Sequence, residues 1–214
     1  GFSYNSLINN LENQESQDVC LDQTEQLKKL EEELGNCQRC ELYKTRTNIV
    51  FGVGNPCADI MFIGEAPGEE EDLKGEPFVG RAGRLLDKIL ESIGLSRKEN
   101  VYIANVLKSR PPENKIINHM SSVDVCIPFL LKQIDIIKPK IIVCLGTIAA
   151  HSLLKIKDPI TKIRGKFFMY NNIKVLTTYH PSYLLRNPIA KKEVWEDFKK
   201  IKEMLNRLRE VENV

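Results

Sequence analysis

From Ile60 onward, short and wholly apolar runs alternate with longer stretches whose apolar residues recur every three or four positions. Ile60-Met61-Phe62-Ile63, closed by Gly64, predicts a strand, as do Val101–Leu107 and Lys140–Leu145. Runs without polar alternation suit strands covered on both faces. Between them, Leu85, Leu86, Ile89, Leu90 and Ile93 predict a helix over 84–93. Ser121 or Ser122 caps a second helix running to Ile137, with Pro139 marking its end, and Thr147–Leu154 forms a third. Phe167–Tyr170 and Ile173–Thr178 flank Asn171-Asn172, a hairpin signal. A last helix over 190–208 turns Val194, Trp195, Phe198, Ile201, Leu205 and Leu208 inward. Strands alternating with helices predict an α/β sheet with helices on both faces.

The start of the chain has a different texture. Residues 1–21 are rich in Asn, Gln, Ser and Glu and read as a solvated extension. A short helix follows over 22–35, with Leu27, Leu30 and Leu34 on one face and Gly35 as its stop. The folded domain is expected to begin near Cys37, which divides the chain into an extension, 1–36, and a domain, 37–214. At 214 residues and 42% hydrophobic, the chain has enough apolar surface for one core. Its longest apolar runs, Ile141–Leu145 and Ile148–Ala150, fall far short of the ~20 residues that span a bilayer. No charged-then-apolar leader opens it. With 31 Lys+Arg against 29 Asp+Glu, the net charge of +2 excludes a general polybasic binder but leaves room for a local basic groove. The expectation is a monomer without membrane contact, in a reducing cytoplasm.

The chemistry-bearing residues gather after the strands. Gly64-Glu65-Ala66-Pro67-Gly68-Glu69-Glu70-Glu71-Asp72 follows the first, Ser109-Arg110-Pro111-Pro112-Glu113-Asn114 the second, Gly146-Thr147 the third and Tyr179-His180-Pro181-Ser182-Tyr183 the fourth. Ligands of open α/β sheets bind outside the carboxyl ends of the strands, so four such motifs predict a site there. Gly and Pro alone would fit plain strand-to-helix turns; Glu65 and His180 fit that reading less well. Gly64 and Gly68 permit close backbone approach, and Pro67 stiffens the turn. Phe78 is either a plug or a stacking platform. Arg81, Arg84, Lys108, Arg110 and Arg186 border the motifs and make this edge basic, as a phosphodiester backbone requires. Of the six cysteines, Cys37 and Cys40 form a C-x-x-C, a metal or redox pattern in a reducing compartment. Cys144 lies in an apolar run and reads as a buried thiol. Cys20 reads as a bystander and His151 as a helix residue.

Gly64-Glu-Ala-Pro-Gly-Glu-Glu-Glu-Asp, Pro77-Phe-Val-Gly-Arg-Ala-Gly, Asn105, Arg110-Pro-Pro, Pro139-Lys-Ile-Ile-Val and His180-Pro-Ser-Tyr-Leu-Leu-Arg together resemble the iron–sulfur uracil-DNA glycosylases of family 4. The resemblance runs from Cys37 to Leu208. It implies a three-layer α/β/α fold with a central four-stranded parallel sheet, and excision of uracil from DNA in a bacterial or archaeal cytoplasm. By the resemblance, Gly64, Glu65, Ala66, Pro67 and Gly68 line the uracil pocket, with Ser182 beside it. Phe78 stacks on the flipped base, Asn105 reads its edge and His180 faces uracil O2. Glu65, Glu71 and Asn114 are unranked candidates for positioning the attacking water. Arg81, Arg110, Pro111, Pro112 and the segment Pro181, Tyr183, Leu184, Leu185 and Arg186 face the DNA, that segment entering the duplex.

The resemblance also implies a [4Fe-4S] cluster held by four cysteines. Cys37, Cys40 and Cys126 match, but the remaining position is Ser109, and the loop from Asn114 to Cys126 is about one residue longer than the pattern it resembles. A serine alkoxide, solvent, a three-iron cluster, a displaced Cys57 or His119, or loss of the cluster all remain open. The altered loop also leaves open a protein that binds or traps uracil or abasic DNA without turnover, and a module acting on another base.

Overall fold

The computed structural model describes residues 4–212. In chain order the elements are α1 (Tyr4–Leu34), β1 (Val53–Gly54), β2 (Ile60–Gly64), α2 (Glu69–Lys74), α3 (Arg81–Ser92), β3 (Val101–Asn105), α4 (Met120–Ile137), β4 (Ile141–Leu145), α5 (Thr147–Leu154), α6 (Ile160–Ile163), β5 (Phe167–Tyr170), β6 (Ile173–Thr178), α7 (Pro181–Arg186) and α8 (Lys191–Glu212). One sheet of six strands, in the order β1-β3-β2-β4-β6-β5, runs through the molecule. Its inner strands β3, β2, β4 and β6 are parallel. An antiparallel strand closes each edge. The expected four-stranded parallel sheet is thus the centre of a larger mixed one. The two-residue β1 is too short for any hydrophobic period to announce it, whereas β5 and β6 form the predicted hairpin, with Asn171 and Asn172 at φ 44° and 67° as the turn requires.

Strand residues alternate between two cores. Met61, Ile63, Tyr102, Ala104, Ile142 and Cys144 face α1, α4 and α5; Ile60, Phe62, Val101, Ile103, Ile141 and Val143 face α3, α7 and α8. Every residue of β2, β3 and β4 is buried, which is why their sequences lack polar alternation.

Four features differ from the sequence reading. The N-terminal helix is continuous from Tyr4, and Leu27, Leu30 and Leu34 pack into the same core as α4. Gln23 Nε2 secures the helix by donating to Ile136 O at 2.9 Å and Ile137 O at 3.2 Å. Neither Ser121 nor Ser122 caps α4; the helix opens at Met120, and Ser122 Oγ is buried without a partner. Strand β3 stops at Asn105, where the chain turns toward α4. In α8, Val194, Phe198, Ile201 and Leu205 are buried as expected, but Trp195 lies at the rim of that face and is 41% exposed. No helix of the described residues is long and apolar enough to cross a membrane.

Candidate active site

The chain runs from β2 to β3 on one side, then returns to β4 on the other side of β2. That reversal opens a crevice at the carboxyl ends of the strands. A cavity of about 360 Å³ lies there, lined by Glu65 to Gly68, Glu71, Phe78, Ala82, Asn105, Pro111, Asn114, Ile116, His180, Ser182 and Arg186. All four post-strand motifs thus reach one edge of the sheet, and three of them line the cavity directly. Gly146 of the remaining motif packs against Glu65 and His180.

The floor is built on Gly64 and Asn105, the last residues of paired strands. A Cβ on Gly64 would lie 2.3 Å from Asn105 Oδ1 and 2.6 Å from Phe78 Cζ, so glycine is the residue that lets all three meet. Asn105 is 1% exposed, and its Oδ1 is buried with no hydrogen-bond partner. A buried orphan acceptor costs free energy unless a ligand supplies the donor.

Phe78 holds a left-handed backbone, φ 55°, which a bulky residue adopts only under constraint. Two anchors supply it. Glu71 Oε1 accepts from Val79 N–H at 3.0 Å and Gly80 N–H at 2.8 Å. Arg97 donates to Pro77 O at 3.0 Å and Phe78 O at 2.8 Å while paired with Asp87 at 2.7 Å. The Phe78 ring then sits 5.5 Å from the His180 ring.

His180 caps α7. Ser182 N–H donates to His180 Nδ1 at 3.2 Å, and Ser182 Oγ lies 2.8 Å from the same nitrogen. An Nδ1 that accepts leaves the proton on Nε2. Burial and the nearby Arg186 push the pKa of His180 down to about 4, so the ring is neutral at ordinary pH. The strand end before it is fixed by buried Asp197, which accepts from Thr178 Oγ1 at 2.6 Å and Arg164 Nη2 at 2.7 Å.

The water-positioning candidates are unequally committed. Asn114 Oδ1 accepts from Arg110 Nε at 2.9 Å, and Glu71 spends one oxygen on the Phe78 loop. Glu65 sits at the start of α5 and accepts from Ile148 N–H, while its burial pushes its pKa above the ordinary carboxylate value.

The outer edge is more selective than the sequence suggested. In α7, Leu185 is 38% exposed and Arg186 is exposed, but Pro181 and Leu184 are buried, because helical spacing turns them onto the core beside α3. Tyr183 is half-buried, its ring 4.8 Å from Tyr179 and its hydroxyl accepting from Asn187 Nδ2. Pro111 is buried at the cavity wall and Pro112 is exposed. A second cavity of about 440 Å³, lined by Arg81, Arg84, Leu85, Lys88 and Leu185, continues the edge along α3. Lys108 is no part of it: the side chain folds inward and is 1% exposed.

This geometry agrees with the relationships of the sequence. The family model of the uracil DNA glycosylase superfamily matches residues 51–199. The chain belongs to the uracil-DNA glycosylase superfamily. It is 45% identical over 191 residues to the type-4 uracil-DNA glycosylase of Archaeoglobus fulgidus, covering 86% of this chain and 95% of that protein. To the type-4 enzyme of Saccharolobus solfataricus it is 46% identical over 184 residues, 82% of this chain and 84% of the relative. The figures for that of Thermotoga maritima are 45% over 180 residues, 82% and 93%.

The cysteines of this superfamily member form two groups, with Cys144 apart from both. Cys126 has Cys37 and Cys40 as electrostatic neighbours and accepts from the Lys108 N–H, while its burial pushes the thiol pKa up. Ser109 follows Lys108, and Arg46 bridges Ser109 Oγ, at 3.2 Å, to Asn36 Oδ1, at 2.8 Å. The donor set is therefore three thiols and a serine hydroxyl already engaged by an arginine. Among the described residues, no group of three or more His, Cys, Asp or Glu side chains is arranged to hold a metal ion. These residues do not fit a four-thiolate [4Fe-4S] site. Neither displaced candidate repairs it. Cys57 is bonded to Cys20, which the long α1 brings over the segment between β1 and β2, so Cys20 is no bystander. His119 Nδ1 is already engaged, 2.7 Å from Glu41 Oε1. Cys144 is fully buried as expected, its pKa pushed up to about 12. His151 lies in α5, bonded to Asp158 O at 2.8 Å.

Sequence reasoning missed Arg97, Ala82 and Ile116 as contributors to the cavity and its loop. Arg97 lies beyond α3 with no motif around it, so its role exists only once the chain has folded.

Proposed function

We propose that this chain is a uracil-DNA glycosylase that hydrolyses the N-glycosidic bond of a uracil flipped out of DNA and leaves an abasic site. The observation that carries the reading is the unpartnered Asn105 Oδ1 in a cavity shared with the neutral His180. Uracil N3–H is the donor that this acceptor lacks. Cytosine presents an acceptor at the same position and would leave Oδ1 unpaired.

Extruding a base costs a few kcal/mol, least when its pairing is already weak. Phe78, fixed in its strained loop, offers a face for the extruded base to stack on. Breaking the glycosidic bond puts positive charge on the sugar and negative charge on the base. His180 Nε2–H is positioned as a donor to the developing charge at O2, an effect worth roughly 3–4 kcal/mol for a well-placed donor. Glu65 is the strongest of the candidates for orienting water, because burial raises its pKa above the ordinary carboxylate value and makes it a stronger base. Water adds to the sugar, its proton passes through solvent, and the uracil anion takes up a proton as it leaves. No step is assigned to a cluster.

The DNA edge is Leu185 and Arg186 of α7, Arg110 and Pro112 of the loop after β3, and the α3 groove. Arg81, Arg84 and Lys88 follow helical spacing along that groove, so it suits a run of phosphates beside the extruded nucleotide. Incubation with U·G, T·G and C·G duplexes, followed by alkaline cleavage of abasic sites, tests the reading. Strand scission at uracil alone supports it; no scission, or equal scission at thymine, overturns it.

A further inference from the structure

Lys108 is buried on the inner side of the turn after β3, and among the described residues it has no carboxylate partner. Its Nζ donates instead to three acceptors from three segments. These are Asn105 O at 2.9 Å, Phe51 O at 3.0 Å and Gln133 Oε1 of α4 at 2.7 Å. Gln133 is also fully buried and donates from Nε2 to Phe51 O at 3.0 Å. An ammonium has three donors and no acceptor, so this set saturates it.

The burial of a cation is costly, and an apolar side chain of similar length could fill the space. What sets the arrangement apart is one acceptor, the carbonyl of the residue whose amide points into the cavity. That amide has no partner at Oδ1. With no hydrogen bond at Oδ1 to hold it, its direction depends on packing against the Phe78 ring and on the backbone from which it projects. The adjoining turn is also tied down: Val106 N–H donates to Gly64 O at 3.0 Å and Leu107 N–H to Glu65 O at 3.0 Å. Lys108 adds the tie that reaches across to α4.

We propose that Lys108, together with Gln133, is a positioning residue for base excision: it locks the backbone of Asn105 so that the amide is aimed before the base arrives. The inference rests on the reading of the cavity as a uracil site. An amide aimed in advance avoids reorganisation at the moment of reaction, which is where small misplacements cost most.

A double-mutant cycle with enzyme in excess over a uracil-containing duplex tests this, using the full chain, Lys108→Met, Asn105→Ala and the double variant. Lys108→Met is expected to slow single-turnover excision roughly 10- to 100-fold, the scale of a misplaced reacting group. In the Asn105→Ala background the same change should cost less than about 2-fold, because the residue it acts through is gone. Affinity for an abasic-analogue duplex should stay within about 2-fold of wild type, since backbone contacts carry most of it. An equal loss in both backgrounds, or no loss in either, overturns the proposal. If Lys108→Met does not fold, by its thermal melt, Gln133→Leu removes one acceptor and leaves the lysine. The cycle repeated with it should show a smaller loss that again disappears with Asn105→Ala, and additivity there overturns the proposal. Wild-type protein that releases no uracil would sink the functional reading itself; an active wild type with an uncoupled cycle sinks this inference alone.

Discussion

Gly64 and Asn105 end neighbouring parallel strands in register, and the side chain that Gly64 lacks is the space that the Asn105 amide occupies. A single methyl group at position 64 would lie 2.3 Å from Asn105 Oδ1.

Gly64→Ala should therefore act on chemistry before stability. The added Cβ also meets the Phe78 ring, so both base-facing groups must move. Single-turnover excision is expected to fall at least about 100-fold, the cost of an ångström-scale misplacement. The thermal melt should show a protein that still folds. A wild-type rate for the variant would contradict the geometry described for the floor.

His180→Ala should remove the donor to the departing base and slow excision by about 10²–10³-fold, as the loss of one such donor does elsewhere. The pH profile is more specific. The folded pKa is about 4 against an ordinary 6.5, so between these values the unfolded chain binds the extra proton and the folded chain does not. The His180 contribution is thus intact above 6.5, and stability declines as pH falls from 6.5 toward 4. Excision should show no inflection near 6.5 arising from this ring, and its acid limb should lie near 4. An acid limb at 6.5 that vanishes in His180→Ala would show a ring that titrates normally.

Arg81→Ala and Lys88→Ala should weaken binding to an abasic-analogue duplex without changing which base is released. Each lost phosphate contact should reduce the slope of log K against log salt by about 1. Unchanged slopes for both variants would remove the α3 groove from the DNA interface.

Ser109→Cys restores a fourth thiolate beside Cys126, Cys37 and Cys40. After anaerobic preparation, the variant should retain more iron and sulfide in air than the wild-type chain, with stronger absorption near ~400 nm if a cluster of the ordinary kind assembles. Equal iron content and equal lability in both proteins would show that Ser109 is not at the decisive corner.

The sequence made the inner sheet legible because β2, β3 and β4 are buried on both faces, which leaves unbroken apolar runs. The site was legible for a related reason: its residues follow those runs directly, so the ends of the strands deliver Glu65, Asn105 and His180 to one edge. Features set by contacts between distant segments were not legible. Lys108 reads as a surface cation until its three acceptors, drawn from β3, α4 and the segment before β1, come together. Leu184 and Leu185 look alike in the chain, and only the phase of α7 buries one and exposes the other. The Cys20–Cys57 bond depends on α1 beginning before Asp22, in a polar stretch that gives no apolar period to follow.

On the glycosylase reading, this cavity turns over uracil in DNA. Release of labelled uracil from a single-uracil duplex, with substrate in excess of the full chain, measures that directly. Several equivalents of uracil per protein are expected, and their loss in His180→Ala and Asn105→Ala. Release that stops at one equivalent with the protein still on the DNA, or no release, would contradict it and point to a protein that binds or traps.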